Sequence, residues 1–212
     1  KETTLPITQV LFYFTEKEYK TSDIDDKKLL VFLRACDLNG VKRIDEIYLR
    51  NGIERDYYYE RLREKVKFVL IGCKESFRNC FCVSMDSNKS DNYSMAINLR
   101  DDEIYLDIKD SFLDIFEGEA CDFEVDYVKE NIINLEVPEN INPVELSKHP
   151  MWDEYDARCI ACGKCNFVCP TCTCFTMQDI YYKENENVGE RRRVWASCHV
   201  DGYTDMAGGH RF

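Results

Sequence analysis

Apolar residues along this chain alternate between short continuous runs and helically spaced positions. Gln9-Val-Leu-Phe-Tyr-Phe14 and Leu29-Leu-Val-Phe-Leu33 are rich in β-branched and aromatic residues and have the length of buried strands. After the turn signal Asp37-Leu-Asn-Gly40, Val41, Ile44, Ile47 and Tyr48 recur at helical spacing, and Asn51-Gly52 ends the segment, which predicts a helix over 41–50. A second helix is expected over Tyr57–Lys65, and Lys67-Phe-Val-Leu-Ile71 reads as another buried strand. The order strand, helices, strand predicts a βαβ crossover in a partly parallel sheet.

From Cys82 to Lys109 the pattern turns to alternation, with strands expected over 93–99 and 103–109 and a hairpin at Arg100-Asp-Asp102. A short helix over 111–116, capped by Asp110 or Ser111, should follow. Residues 137–150 hold three of the five prolines and few large apolar side chains, so they read as an exposed linker. Beyond them lie the run Phe175–Tyr182, a polar loop at Asn185–Glu190 and a strand-like Val194-Trp-Ala196. The expected organisation is a mixed α/β domain over 1–143 and a smaller module over 144–212. No internal repeat interrupts it.

Composition narrows the function classes. With 44% hydrophobic and 13% aromatic residues in 212, the chain is a folded globular protein rather than a disordered one. Lys and Arg number 28 against 40 Asp and Glu, a net charge of −12, which argues against a nucleic-acid groove. The acidity suits either solubility or steering toward a basic partner surface. No apolar run is long enough to span a bilayer and no basic-then-apolar leader precedes the fold, so a cytoplasmic location is expected. Lys1 in place of Met points to a fragment.

The twelve cysteines change the picture most. Cys159-Ile-Ala-Cys162-Gly-Lys-Cys165-Asn-Phe-Val-Cys169-Pro170 has the spacing C-x2-C-x2-C-x3-C-P of bacterial ferredoxins, which holds a [4Fe–4S] cluster. Three thiolates two residues apart wrap one tight loop around a cube face, and the fourth, followed by proline, is carried away from it. Structural zinc fits less well, because the knuckles of a zinc ribbon stand about 15–20 residues apart. Gly163 suits the loop, since backbone N–H groups must come close to the sulfurs. The 144–212 segment is therefore expected to be a ferredoxin-like iron–sulfur module. Cys172, Cys174 and Cys198 are further candidate ligands, each balanced by a reading as a buried free thiol.

Cys36 follows one predicted strand, and Cys73, Cys80 and Cys82 surround another, so these four can converge on one site at the end of the sheet. A catalytic thiol there lacks a histidine, as His149, His199 and His210 are all distant in sequence. There is no dinucleotide fingerprint and no P-loop, so electrons must be delivered by a partner. Glu190-Arg-Arg-Arg193 is the one basic run and reads as a solvated loop in preference to a docking patch.

Arg34-Ala-Cys36-Asp37, Cys73, Cys80-Phe-Cys82-Val-Ser-Met85, the cysteine run from Cys159 to Phe175, Glu190-Arg-Arg-Arg-Val-Trp195 with Cys198, and Gly208-Gly209 together span nearly the whole chain. In this combination the chain resembles the A subunit of the anaerobic sulfite reductase, and the related β subunit of sulfhydrogenases looks similar. The resemblance implies a non-catalytic iron–sulfur electron-transfer subunit. It also implies two partners, a flavin- and NADH-binding B subunit and a sirohaem-bearing C subunit where sulfite is reduced to sulfide. Members carry a second cysteine motif of the same spacing, which this chain lacks. Two versions follow: Cys169 serves a second cluster whose remaining ligands are missing, or a local cysteine, Cys198 ahead of Cys172 and Cys174, completes the first. Two further readings stand beside this one, a sulfhydrogenase-type electron-transfer subunit and a zinc-stabilised structural or assembly module.

Overall fold

A computed structural model describes residues 1–113, 115–182, 185–200, 202–206 and 208–210. In chain order the elements are β1 (Thr8–Phe14), β2 (Tyr19–Thr21), β3 (Leu29–Leu33), α1 (Ala35–Asp45), α2 (Tyr57–Arg63), β4 (Val66–Ile71), β5 (Met95–Arg100), β6 (Glu103–Ile108), α3 (Pro143–Leu146), α4 (Met151–Arg158), α5 (Lys164–Val168), β7 (Phe175–Tyr182) and β8 (Asn185–Trp195). None of the described helices is long and apolar enough to cross a membrane.

The chain folds as two compact units. Asp25–Val137 form one, and Thr4–Ile24 join Pro138–Phe212 in the other. The expected division at residue 143 thus differs in two respects: the break falls between Val137 and Pro138, and the amino-terminal strand belongs with the carboxy-terminal segment. The reason is non-local pairing, since β1 runs antiparallel to β8, with Gln9 opposite Arg193 and Phe14 opposite Gly189.

The first unit is mixed α/β, as the pattern predicted. Its sheet has the order β3-β4-β5-β6, with β3, β4 and β5 parallel and β6 antiparallel to β5. The β5–β6 turn places Asp101 at φ 52°, in the left-handed region. Val66, Phe68 and Leu70 of β4 meet Ala35, Leu38 and Val41 of α1, while Val69 on the opposite face meets Met95 and Leu113. β4 is therefore buried on both faces, as its continuous apolar run requires. β3, expected to be buried too, is an edge strand that turns Val31 and Leu33 to the core and leaves Phe32 52% exposed.

Helix α1 begins at Ala35, six residues before the expected start. The turn signal at 37–40 is overridden because Leu38 packs against β4 and Gly40 is buried as well. Asp37 sits in the first turn, where a carboxylate complements the helix dipole. Asn39 turns outward and donates from Nδ2 to the carbonyls of Ser87 (3.2 Å) and Lys89 (2.8 Å). After Asp45 the last turn widens over Glu46–Arg50. The expected helix over 111–116 is one tight turn over Ser111–Leu113 that buries Leu113; residue 114 lies outside the described residues.

In the second unit the order is β2-β1-β8-β7, antiparallel throughout. Leu11 is skipped in the β1–β8 register, and this bulge turns it inward to 3% exposure. The expected polar loop over 185–190 is the first part of β8. Polarity misleads there because partners meet each charge. Glu190 accepts from Tyr182 Oη (2.9 Å), Arg193 donates to Gln9 (2.8 Å), and Arg191 forms a two-point pair with Asp179. The basic run is accordingly a strand rather than a solvated loop. Residues 139–150 are exposed as expected for the linker, although α3 forms within them, capped by Asn142 Oδ1 accepting from Val144 N (3.1 Å).

Candidate metal centre

Cys159 ends α4 in extended conformation, its N–H bonded to the Tyr155 carbonyl at 2.9 Å. The chain then turns left-handed twice, at Ala161 (φ 52°) and Gly163 (φ 67°). Just before this double turn the Ala161 N–H donates to Cys159 Sγ, 3.4 Å away. Gly163 caps α5 by accepting from Asn166 N and Phe167 N. Cys165 therefore lies on the first turn of α5, and Cys169 follows its last turn with Sγ 3.2 Å from Thr171 Oγ1.

Gly163 is required for space as well as for its φ. A Cβ there would stand 2.7 Å from Ser197 Cβ and 2.9 Å from Val200 Cγ2. Ser197 is fully buried behind the loop and accepts from His199 N at 3.1 Å. Phe167 stacks on Trp195, centroids 6.3 Å apart, and Ala196 N bonds the Cys174 carbonyl, so the end of β8 backs the loop. Asn166 Nδ2 donates to Cys198 Sγ at 3.1 Å, placing Cys198 beside the α5 turn that carries Cys165.

Cys172 and Cys174 lie on the approach to β7. Cys174 is hydrogen-bonded to Cys172 and to the Tyr203 hydroxyl, with Cys198 in electrostatic range. Burial pushes the Cys174 thiol up, and Cys172 and Cys198 add to it while Tyr203 opposes. Tyr203 is raised by burial and by Cys174. None of the twelve cysteines is paired in a disulfide. Among the described residues, no three Cys, His, Asp or Glu side chains come together closely enough for a single metal ion.

The donor set does fit an iron–sulfur cluster. Thiolates on a left-handed loop with an N–H aimed at a sulfur, and no side chain at Gly163 to obstruct the approach, provide the ligands and N–H···S hydrogen bonds that such clusters use. Cys159, Cys162 and Cys165 are exposed, as is Cys198. Asn166, Ser197 and Tyr203 carry no signal in the sequence, because their roles rest on contacts distant along the chain.

Four of the five cysteines of the first unit, Cys36, Cys73, Cys80 and Cys82, lie at the carboxyl end of its parallel strands. Burial raises the Cys36 thiol, with Asp37 and Cys82 adding to the effect. Burial also raises Cys73, against the pull of the Arg34 guanidinium, with Cys80 and Cys82 reinforcing the rise. Asn131 donates from Nδ2 to Cys82 Sγ (3.6 Å) and to Ser76 Oγ (2.9 Å).

Residues 158–212 match the family model of the 4Fe–4S dicluster domain. Over 220 aligned positions the chain is 28% identical to sulfhydrogenase 2 subunit beta of Pyrococcus furiosus, an alignment covering 95% of this chain and 64% of that protein. The chain thus spans less than two thirds of its relative's length. No solved structure matches it. The 4Fe–4S match, taken with the loop geometry, assigns a [4Fe–4S] cofactor to the carboxy-terminal segment and an iron–sulfur electron-transfer role to the chain.

Proposed function

We propose that this chain is the electron-transfer subunit of a multi-subunit oxidoreductase, set between a flavin- and NADH-binding partner and a catalytic partner that reduces sulfite. The observation that carries the reading is the cysteine loop itself, Cys159, Cys162 and Cys165 on a doubly left-handed turn with an N–H directed at sulfur. A [4Fe–4S] cluster held there supplies one-electron transfer at a potential set by hydrogen bonds and exposure. The chain's own part is to hold and bias it. Cys159, Cys162 and Cys165 supply three thiolates, Ala161 N–H stabilises sulfur charge, and Gly163 lets the loop lie on Ser197. Cys169 points its thiolate away toward a second cluster, or Cys198, beside Cys165's helix, completes the first.

The sequence similarity to a sulfhydrogenase β subunit supports a second reading, in which the catalytic partner is a hydrogenase. Native co-purification under anaerobic conditions decides between them. Recovery with a sirohaem protein and NADH-dependent sulfite reduction is expected; recovery with a nickel protein and hydrogen-dependent dye reduction would transfer the assignment to the second reading. Within the chain, Cys162→Ala should abolish iron loading of the 159–169 loop after anaerobic reconstitution. Unchanged iron in Cys198→Ala would leave Cys169 and a second cluster as the operative arrangement.

A further inference from the structure

We propose that Cys36, Cys73, Cys80 and Cys82 form a separate four-thiolate site, in the first unit, that binds an iron–sulfur cluster. The site begins with topology. β3 and β4 are adjacent and parallel, with Leu33 opposite Leu70, so both release the chain at the same edge of the sheet. Cys36 follows the end of β3 by three residues and Cys73 follows the end of β4 by two. The carboxyl edge of parallel strands is where α/β sheets bind their ligands.

The connection from β4 to β5 then departs from the usual form of such a crossover. Parallel neighbours are ordinarily joined through a helix, yet Gly72–Ser94 contain neither helix nor strand. Irregular connections beyond about 12–15 residues are uncommon in compact domains and usually functional. Three of the four cysteines lie on this one.

The loop is tied down around those thiols. The Arg34 guanidinium, at the start of α1, lies 4.3 Å from the centre of the Phe77 ring. Asn131 accepts from Val83 N (2.7 Å) while donating toward Cys82 Sγ. Ser87 donates from N (2.8 Å) and Oγ (3.2 Å) to the Cys82 carbonyl, and its own carbonyl accepts from Asn39 on α1. At the strand end, Cys73 N bonds the Asp126 carbonyl (2.8 Å). These bonds bring Cys82 within electrostatic range of both Cys36 and Cys73, and Cys80 within range of Cys73.

The surroundings suit an anionic cluster. Arg34 supplies positive charge near Cys73, Asn131 an N–H toward sulfur, and the first turn of α1 its dipole at Cys36. A four-iron cube takes four cysteine thiolates, the number that the start of α1 and this loop supply. This site is independent of the 159–169 loop.

The test uses the unaltered full chain, reconstituted anaerobically with ferrous iron and sulfide and then exposed to iodoacetamide, with each cysteine followed by mass spectrometry. Exposed Cys121, outside both groups, sets the reference rate. Cys36, Cys73, Cys80 and Cys82 should alkylate about ten-fold or more slowly than Cys121 while iron is bound, and gain reactivity once a chelator removes it. Alkylation of these four at the Cys121 rate in iron-loaded protein overturns the proposal, as does protection that survives removal of all iron. Stoichiometric zinc in place of iron also overturns it. As a second measurement, a chain carrying Cys159→Ser, Cys162→Ser and Cys165→Ser should keep about four irons that the further change Cys73→Ser removes. Fast labelling of 159, 162 and 165 beside slow labelling of the four would instead sink the reading of the carboxy-terminal loop and leave this one standing.

Discussion

Asp179 and Arg191 face each other across β7 and β8, with both guanidinium-to-carboxylate contacts at 2.6 Å. Hydrogen bonding to Arg191 holds the Asp179 carboxyl below its ordinary value of 3.8. Because the folded value is depressed, the pair's contribution is present above pH 3.8 and is lost as pH falls through the folded value. A carbon-detected NMR titration should place Asp179 below 3.8, and Arg191→Ala should return it toward 3.8. In the first unit, fully buried Asn98 acts on the backbone instead. It donates to the Glu124 carbonyl (2.7 Å) and accepts from Asp126 N (3.0 Å), and the Asp126 carbonyl in turn accepts from Cys73 N. Asn98→Ala would strand two part-buried backbone groups and should lower stability by about 2 kcal/mol in urea unfolding. Gly72 leaves the room this needs, as a Cβ there would meet Asn98 Oδ1 at 2.2 Å.

Among the elements, α5 and the turn before it depend most on one residue. Gly163→Ala forces an L side chain into left-handed backbone, at about 1–2 kcal/mol, and drives Cβ onto Ser197. Reconstituted iron should fall well below the unaltered chain, with partial recovery in Gly163→Ala/Ser197→Gly; full loading of the single variant would show that the loop does not need this contact. The elements readable from sequence were those with local signals: the β4 run, α2, the β5–β6 hairpin and the crossover between β3 and β4. The early start of α1 was hidden because Asp37, Asn39 and Gly40 read as a turn until Leu38 packs against β4. Strand β8 was hidden because Arg191 and Arg193 find their partners across the ladders to β7 and β1. The same division holds for the sites. Cysteine spacing announces the 159–169 loop, whereas Asn166, Ser197 and the tether from Asn131 to Cys82 exist only through contacts distant in the chain.

For the molecule as a whole, the discontinuity of the second unit has a direct test. Its sheet takes two of four strands, β1 and β2, from the amino-terminal stretch that includes Thr8, so residues 138–212 alone lack half of it. That segment by itself should melt without a cooperative transition, while joining residues 4–24 to it through a short Gly/Ser linker should restore one. A cooperative melt of 138–212 alone would show that β7 and β8 suffice. Proteolytic cleavage within exposed 138–142 should likewise leave the two pieces bound under native conditions, held by the β1–β8 ladder. The same stitching sets a timetable during synthesis. Gln9 and Arg193, joined by a hydrogen bond, are separated by 184 positions. At about 5–20 residues per second the ribosome needs roughly ten to forty seconds to deliver the later partner. Through that interval β1 has an open edge and an aromatic Phe12-Tyr13-Phe14 tip, and the cell must shield it from other nascent chains. The cysteine loop emerges before Trp195 and Ser197, the residues that back it, so metal insertion waits on a strand made after the ligands themselves.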